Sequence, residues 1–195
     1  MIKLLVAISV LAIVIGLLVG SYLFSPGVSQ PAPVGPVGGD FTLQSDKGKV
    51  SLVDYKGKVV LLYFGYTYCP DICPTSLAQI SSAFRALKEE ELEQVQAIFI
   101  SVDPERDTTK KLAAYAPFFH PKIVGVTGTK DNLLEITKRY SVRFNKAEGS
   151  TAADYLVDHT SLIYVIDKKG KIRGFMPHAV SVDVAVATIR RLLAE

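Results

Sequence analysis

"VVLLYFGYTYCPDICPTSL", Val59 to Leu77, runs from an unbroken apolar stretch through the only two cysteines of the chain into a helical pattern. Val59 to Phe64 has no polar interruption and reads as a strand buried on both faces. Leu77, Ile80, Phe84 and Leu87 then recur at helical spacing, so a helix follows. Cys69 and Cys73 fall between the two, at the carboxyl end of the strand, where open α/β sheets gather their sites. The start of a helix offers unpaired N–H groups and a positive dipole end, which favour a thiolate. Each cysteine precedes a proline, and a residue before proline is pushed away from helical angles. The expectation is that neither cysteine lies inside the helix and that Pro74 takes its first position. "CPDIC" is then a loop that turns two sulfurs to one side, a site rather than a staple.

On either side, strand-like and helix-like stretches alternate. Short β-type runs at Phe41–Gln44 and Val50–Val53 form an N-terminal β-hairpin, and "VQAIFISV", Val95–Val102, is a buried strand. A helix over about Thr108–Ala116 is capped by Asp107 or Thr108, and a strand follows at Ile123–Val126. Thr129 caps a helix over Lys130–Tyr140, "KKG" turns a hairpin between Leu162–Asp167 and Lys171–Phe175, and Ser181 caps a last helix. This is an α/β pattern, a mixed sheet flanked by helices. A strand–cysteine–helix unit, a crossover and a late hairpin are the arrangement of a thioredoxin-like domain.

Three readings of the cysteine pair stand. A structural disulfide would close so short a loop that it removes little chain entropy. A redox dithiol is compatible, although thioredoxin-type enzymes have two residues between their cysteines and this chain has three. A metal site is the third, because paired thiolates suit soft or borderline ions such as Cu(I) or Zn(II). A further ligand would come from His120, His159 or His178, the only histidines. His120 reads as a surface-loop residue remote from the site and His178 as an ordinary loop histidine. His159, just before the Leu162–Asp167 strand, enters on the loop that packs against the cysteine loop in thioredoxin-like folds. Asp158 beside it is a candidate acceptor for the imidazole. Asp71 adds charge within the loop, and Tyr63, Phe64, Tyr66 and Tyr68 read as aromatic walls. A peroxiredoxin reading fails, because only Thr67 of its motif is present.

The remaining sequence bounds the setting. Leu4 to Phe24 is 21 residues without a charge, long enough as a helix to span about 31 Å against a hydrocarbon core of about 30 Å. It reads as a transmembrane anchor over residues 1–24, in preference to the alternative of a signal peptide cleaved at the weak site Val19-Gly20-Ser21. Lys3 before it favours an N-terminus inside the cell. The rest then lies outside the inner (cytoplasmic) membrane, on the periplasmic side in a bacterium. Residues 25–40 hold four prolines and four glycines and read as an extended, unpacked linker. Residues 41–195 are one domain. Net charge is +3 with both signs interspersed, and no basic stripe points to nucleic acid.

"YFGYTYCPDICP" (63–74), "SVDPERDT" (101–108) and "DHTSLIYVIDKKGKIRG" (158–174) together resemble the Sco family, also called SenC. The likeness runs from about Phe41 to Leu193. It implies a membrane-anchored, thioredoxin-like copper chaperone rather than an enzyme with turnover. The implied cargo is one copper, Cu(I) or Cu(II), with Cys69, Cys73 and His159 as ligands. The implied partner is cytochrome c oxidase subunit II, whose binuclear copper site the family helps to assemble. Another copper chaperone and a thioredoxin-like reductant are implied as further partners. The alternative is a thiol–disulfide oxidoreductase in which Cys69 and Cys73 are the redox pair and reduce that subunit's cysteines. Oxidation of the pair would remove both sulfur ligands, so the disulfide form is expected to bind no copper.

Overall fold

A computed structural model describes residues 14–16, 36–147 and 155–195. Contacts divide the chain into Met1–Val34 and Gly35–Glu195. Of the first unit, residues 14–16 are described and are helical. The expected anchor otherwise lies outside the described residues, as does most of the linker. Among the described residues no helix is long and apolar enough to cross a membrane.

The central sheet is built on β3 (Val59–Gly65), all of whose residues are buried. That accounts for its unbroken apolar run. It pairs in parallel with β4 (Val95–Ser101), which pairs in parallel with β5 (Ile123–Val126). On its other side it pairs antiparallel with β8 (Ile163–Ile166), and β8 with β9 (Ile172–Met176). The strand order is β5-β4-β3-β8-β9, a mixed sheet. The β8–β9 turn uses Gly170 at φ 78°, a left-handed conformation that favours glycine. β1 (Thr42–Ser45) and β2 (Gly48–Ser51) form the expected hairpin, which a bridge from Gln44 to Thr127 ties to the end of β5.

Among the described residues, five α-helices complete the domain: α1 (Ile72–Arg85), α2 (Glu89–Glu93), α3 (Thr109–Phe119), α4 (Lys130–Arg139) and α5 (Val182–Leu193). Successive strand residues face opposite sides, so Tyr63 and Phe64 of β3 mark the two faces. On one, Phe99 stacks on Tyr63 and meets Tyr115 of α3. On the other, Phe64 packs against Tyr164 and Tyr140, the residue that ends α4. Helices therefore cover both faces. Thr108, Thr129 and Ser181 each accept a backbone N–H at the start of a helix, as their sequence positions suggest.

Three expectations need correction. The helix after the cysteines begins at Ile72, so Cys73 lies within its first turn and Pro74 follows it there. The first-turn N–H groups lack helical partners, so the proline costs the helix no hydrogen bond. His120 is buried, not in an exposed loop: its ring meets Phe84 edge-on and its Nδ1 accepts the Lys122 N–H at 3.1 Å. The last linker residues pack on the domain. Gly38 donates to the Arg139 carbonyl at 3.0 Å, Gly39 accepts from the Tyr140 hydroxyl at 2.6 Å, and Asp40 Oδ1 accepts the Val53 N–H at 2.9 Å.

Candidate metal centre

The cysteine loop leaves the sheet at Gly65 and turns through Tyr66, Thr67 and Tyr68, with the Cys69 N–H donating to the Tyr66 carbonyl at 3.3 Å. Asp71 is the N-cap residue of α1. The helix start then delivers the Cys73 N–H to Cys69 Sγ at 3.4 Å. Cys69 is half-buried and Cys73 fully buried, and both are free thiols. Gly65 leaves room for the deeper sulfur, since a Cβ there would lie 2.6 Å from Cys73 Sγ.

The two sulfurs differ in charge as well as depth. Hydrogen bonding from Cys73 holds the Cys69 thiol well below the usual thiol range, against the effect of its partial burial, and His159 adds to the lowering. The same hydrogen bond to Cys69 and full burial push Cys73 the other way. The charge is thus favoured on Cys69, the more accessible sulfur, over Cys73 beneath it.

His159 arrives on a small sheet that the sequence pattern does not reveal. β6 (Phe144–Lys146) pairs antiparallel with β7 (Val157–His159), and His159 is the last residue of that strand. Its Nδ1 lies 3.1 Å from the Thr160 carbonyl. A carbonyl only accepts, so Nδ1 donates there and Nε2 is the ring nitrogen left facing the cysteines. Nε2 lies 3.2 Å from Cys73 Sγ. The ring is walled edge-on by Tyr66 at 5.8 Å and Tyr63 at 6.2 Å. Asp158 does not meet the imidazole. It is exposed, on the opposite side of the strand from its neighbour, and the Thr160 carbonyl takes the role expected of it.

The Sγ atoms of Cys69 and Cys73 and the Nε2 or Nδ1 of His159 all lie within 4.8 Å of one another. Two sulfurs and one imidazole are the donor set that soft and borderline metal ions select. His178 is absent from this group; its Nδ1 lies 3.2 Å from the buried Ser76 hydroxyl, one turn along α1 from Cys73. Tyr63, Phe64 and Tyr66 are buried, whereas Tyr68 is 56% exposed beside Cys69. Asp107, offered by the sequence as a helix cap, leaves that role to Thr108 and serves the cysteine loop instead. With none of its side chain exposed, it accepts the Thr67 N–H at 2.8 Å and the Ser101 hydroxyl at 2.6 Å, anchoring the loop two residues ahead of Cys69.

Comparison with known proteins agrees with this architecture. Residues 29–194 match the family model SCO1/SenC. The chain is 38% identical over 158 residues to the mitochondrial Protein SCO2 homolog of Bos taurus, an alignment covering 80% of this chain and 59% of the bovine one. The chain thus spans about three fifths of that relative's length. Among solved structures, ScoI of Bradyrhizobium japonicum with copper bound is 39% identical with a TM-score of 0.73, over 80% of this chain and 99% of that one. BsSco, described as having a disulfide switch and as a member of the Sco family of cytochrome c oxidase assembly proteins, is 28% identical with a TM-score of 0.65, over 85% of this chain and 98% of that one. With a family match over most of its length and the cysteine pair and histidine brought together at the end of β3, this chain belongs to the SCO1/SenC family.

Proposed function

We propose that this chain carries one copper ion on Cys69 Sγ, Cys73 Sγ and His159 Nε2 and hands it to the binuclear copper site of cytochrome c oxidase subunit II during assembly. The observation that carries the reading is the convergence of three soft or borderline donors on one point at the domain surface. Three protein ligands leave the ion open to an incoming ligand from the acceptor, whereas closed four-ligand sites retain their metal. The half-buried Cys69 thiolate is the donor an acceptor reaches first. Support for copper comes from relatives such as the copper-bound Bradyrhizobium protein, and support for the oxidase from the family to which BsSco is assigned. In this reading Leu4–Phe24 anchors the chain in the inner membrane, and residues 25–40 join it to the domain of residues 41–195 on the extracytoplasmic side.

A second reading draws on the asymmetry of the two sulfurs. The half-buried Cys69 thiolate attacks a partner disulfide and releases one partner thiolate. Cys73 then gives up its proton and attacks Cys69, releasing the partner's second thiolate. Two electrons pass to the partner, which ends as a dithiol, while Cys69–Cys73 becomes the disulfide. The experiment that separates the readings is a Cu(I) competition titration of the reduced full chain against a chelator. Delivery requires one tight copper per chain, sharp weakening in His159→Ala and no binding by the disulfide form. Weak binding indifferent to His159, with ready disulfide exchange, would leave only the reductase.

A further inference from the structure

The segment Asp103–Asp107, which the sequence presents as the entrance to a helix, touches both halves of the metal centre. Asp107 holds the cysteine loop through Thr67. Arg106 holds the histidine side: its Nη1 donates to the Tyr155 carbonyl at 2.8 Å, two residues before β7 begins. Arg106 Nε donates to Asp103 Oδ2 at 2.6 Å, and the Tyr155 hydroxyl donates to Asp103 Oδ1 at 2.6 Å. The guanidinium carbon lies 3.5 Å from the centre of the Tyr155 ring, 4.7 Å from that of Tyr68 and 5.7 Å from that of Tyr66. One planar cation is therefore set among rings of the cysteine loop and of the histidine hairpin. Tyr66 completes the link by accepting the Val157 N–H on its hydroxyl at 3.1 Å.

Two further observations give the arrangement a purpose. β6 and β7 form a sheet of their own, with three residues in each strand, outside the five-stranded sheet. So short a two-stranded unit does not hold its own geometry in water, and the position of His159 must be set from elsewhere. Among the described residues, the buried Arg106 Nη2 has no hydrogen-bond partner. Such an orphan is costly; here the faces of surrounding tyrosines compensate through cation–π attraction.

We propose that Arg106 is a positioning residue, fixing His159 relative to Cys69 and Cys73 through its fork on Asp103 and Tyr155 and its contact with the Tyr66 and Tyr68 rings. The copper side of this inference rests on the function proposed above, so the test has a metal-free arm. In the full chain without metal, Arg106→Lys and Arg106→Gln are expected to lose hydrogen-exchange protection at the Val157 and Thr160 amides while those of Val60 and Leu62 in β3 keep theirs. In the Cu(I) titration, both variants are expected to bind about tenfold more weakly, the scale of losing an outer-shell partner. Combining either with His159→Ala should add no further loss, because Arg106 acts through that ligand. Lysine keeps the charge but not the fork. Wild-type behaviour of Arg106→Lys in both arms, or losses that add to that of His159→Ala, would overturn the proposal. Should Arg106→Gln fail to fold, Arg106→Lys and Tyr155→Phe, which removes only the hydroxyl on Asp103, carry the same tests. If the wild-type chain binds no copper, the functional reading falls and the exchange arm still decides on Arg106.

Discussion

Gly65→Ala isolates the packing under the buried cysteine. The glycine does not have a positive φ, so alanine meets no backbone strain there and the test is one of space alone. The added methyl would lie 2.6 Å from Cys73 Sγ, 3.0 Å from Phe99 Cε2 and 3.3 Å from Tyr63 Cε1. The first contact is roughly 1 Å inside the about 3.5 Å at which non-bonded heavy atoms rest. All three neighbours are fully buried, so they can yield only by repacking within the core. Overpacking of this kind costs about 1–3 kcal/mol, offset by about 0.4–1 kcal/mol from the stiffer unfolded chain. The net expectation is a loss of about 1–2 kcal/mol, read as a fall in Tm of about 3–6 °C for a chain of this size. Because the sulfur is what must yield, Cu(I) affinity should fall about tenfold in the same variant. Gly174→Ala is the control, since a Cβ there meets nothing within 4 Å. If Gly65→Ala matches that control in thermal unfolding and copper titration, the packing argument is wrong.

Asp107→Asn should destabilise the chain by about 2 kcal/mol in denaturant unfolding, because a buried charged acceptor serving Thr67 and Ser101 is lost; an unchanged midpoint would contradict the role assigned to it. Alkylation by iodoacetamide followed by peptide mapping should modify Cys69 well before Cys73, since the first is half-exposed thiolate and the second is buried and protonated. Burial lowers the pKa of His120, so the unfolded chain binds its proton more tightly than the folded one. Its contribution to stability is therefore complete above about pH 7.5 and is lost as pH falls below about 6.5, at no more than about 1.4 kcal/mol per pH unit. His120→Gln should remove that part of the slope.

The central sheet and its helices were legible because their signals are local. Val59–Phe64 is apolar without a break, and Thr108, Thr129 and Ser181 stand where caps belong. The cysteine pair stands out by its spacing; His159 becomes a candidate only from its place in the expected fold, and its ligand role is what the family resemblance implies. The expected helix start at Pro74, against the observed Ile72, treats the pre-proline restriction as a bar, whereas it is a steric preference that Cys73 overrides in the first turn. β6 and β7 escaped notice because three-residue strands carry no period, and pair across an intervening connection. The contacts of Asp103, Arg106 and Asp107 with Thr67 and Tyr155 span 40 to 52 residues of sequence. No local pattern encodes such contacts; they exist only once the sheet has brought its strand ends together. Burial of His120 was unreadable for the same reason, because Phe84 reaches it from another helix.

The most direct test of the account is X-ray absorption at the copper edge on the full chain loaded with one Cu(I), alongside His159→Ala. The account predicts two sulfur scatterers and one imidazole nitrogen in the wild type, with the nitrogen missing and both sulfurs retained in the variant. A wild-type spectrum without the imidazole, or one that His159→Ala leaves unchanged, would contradict the three-donor centre on which the functional reading rests.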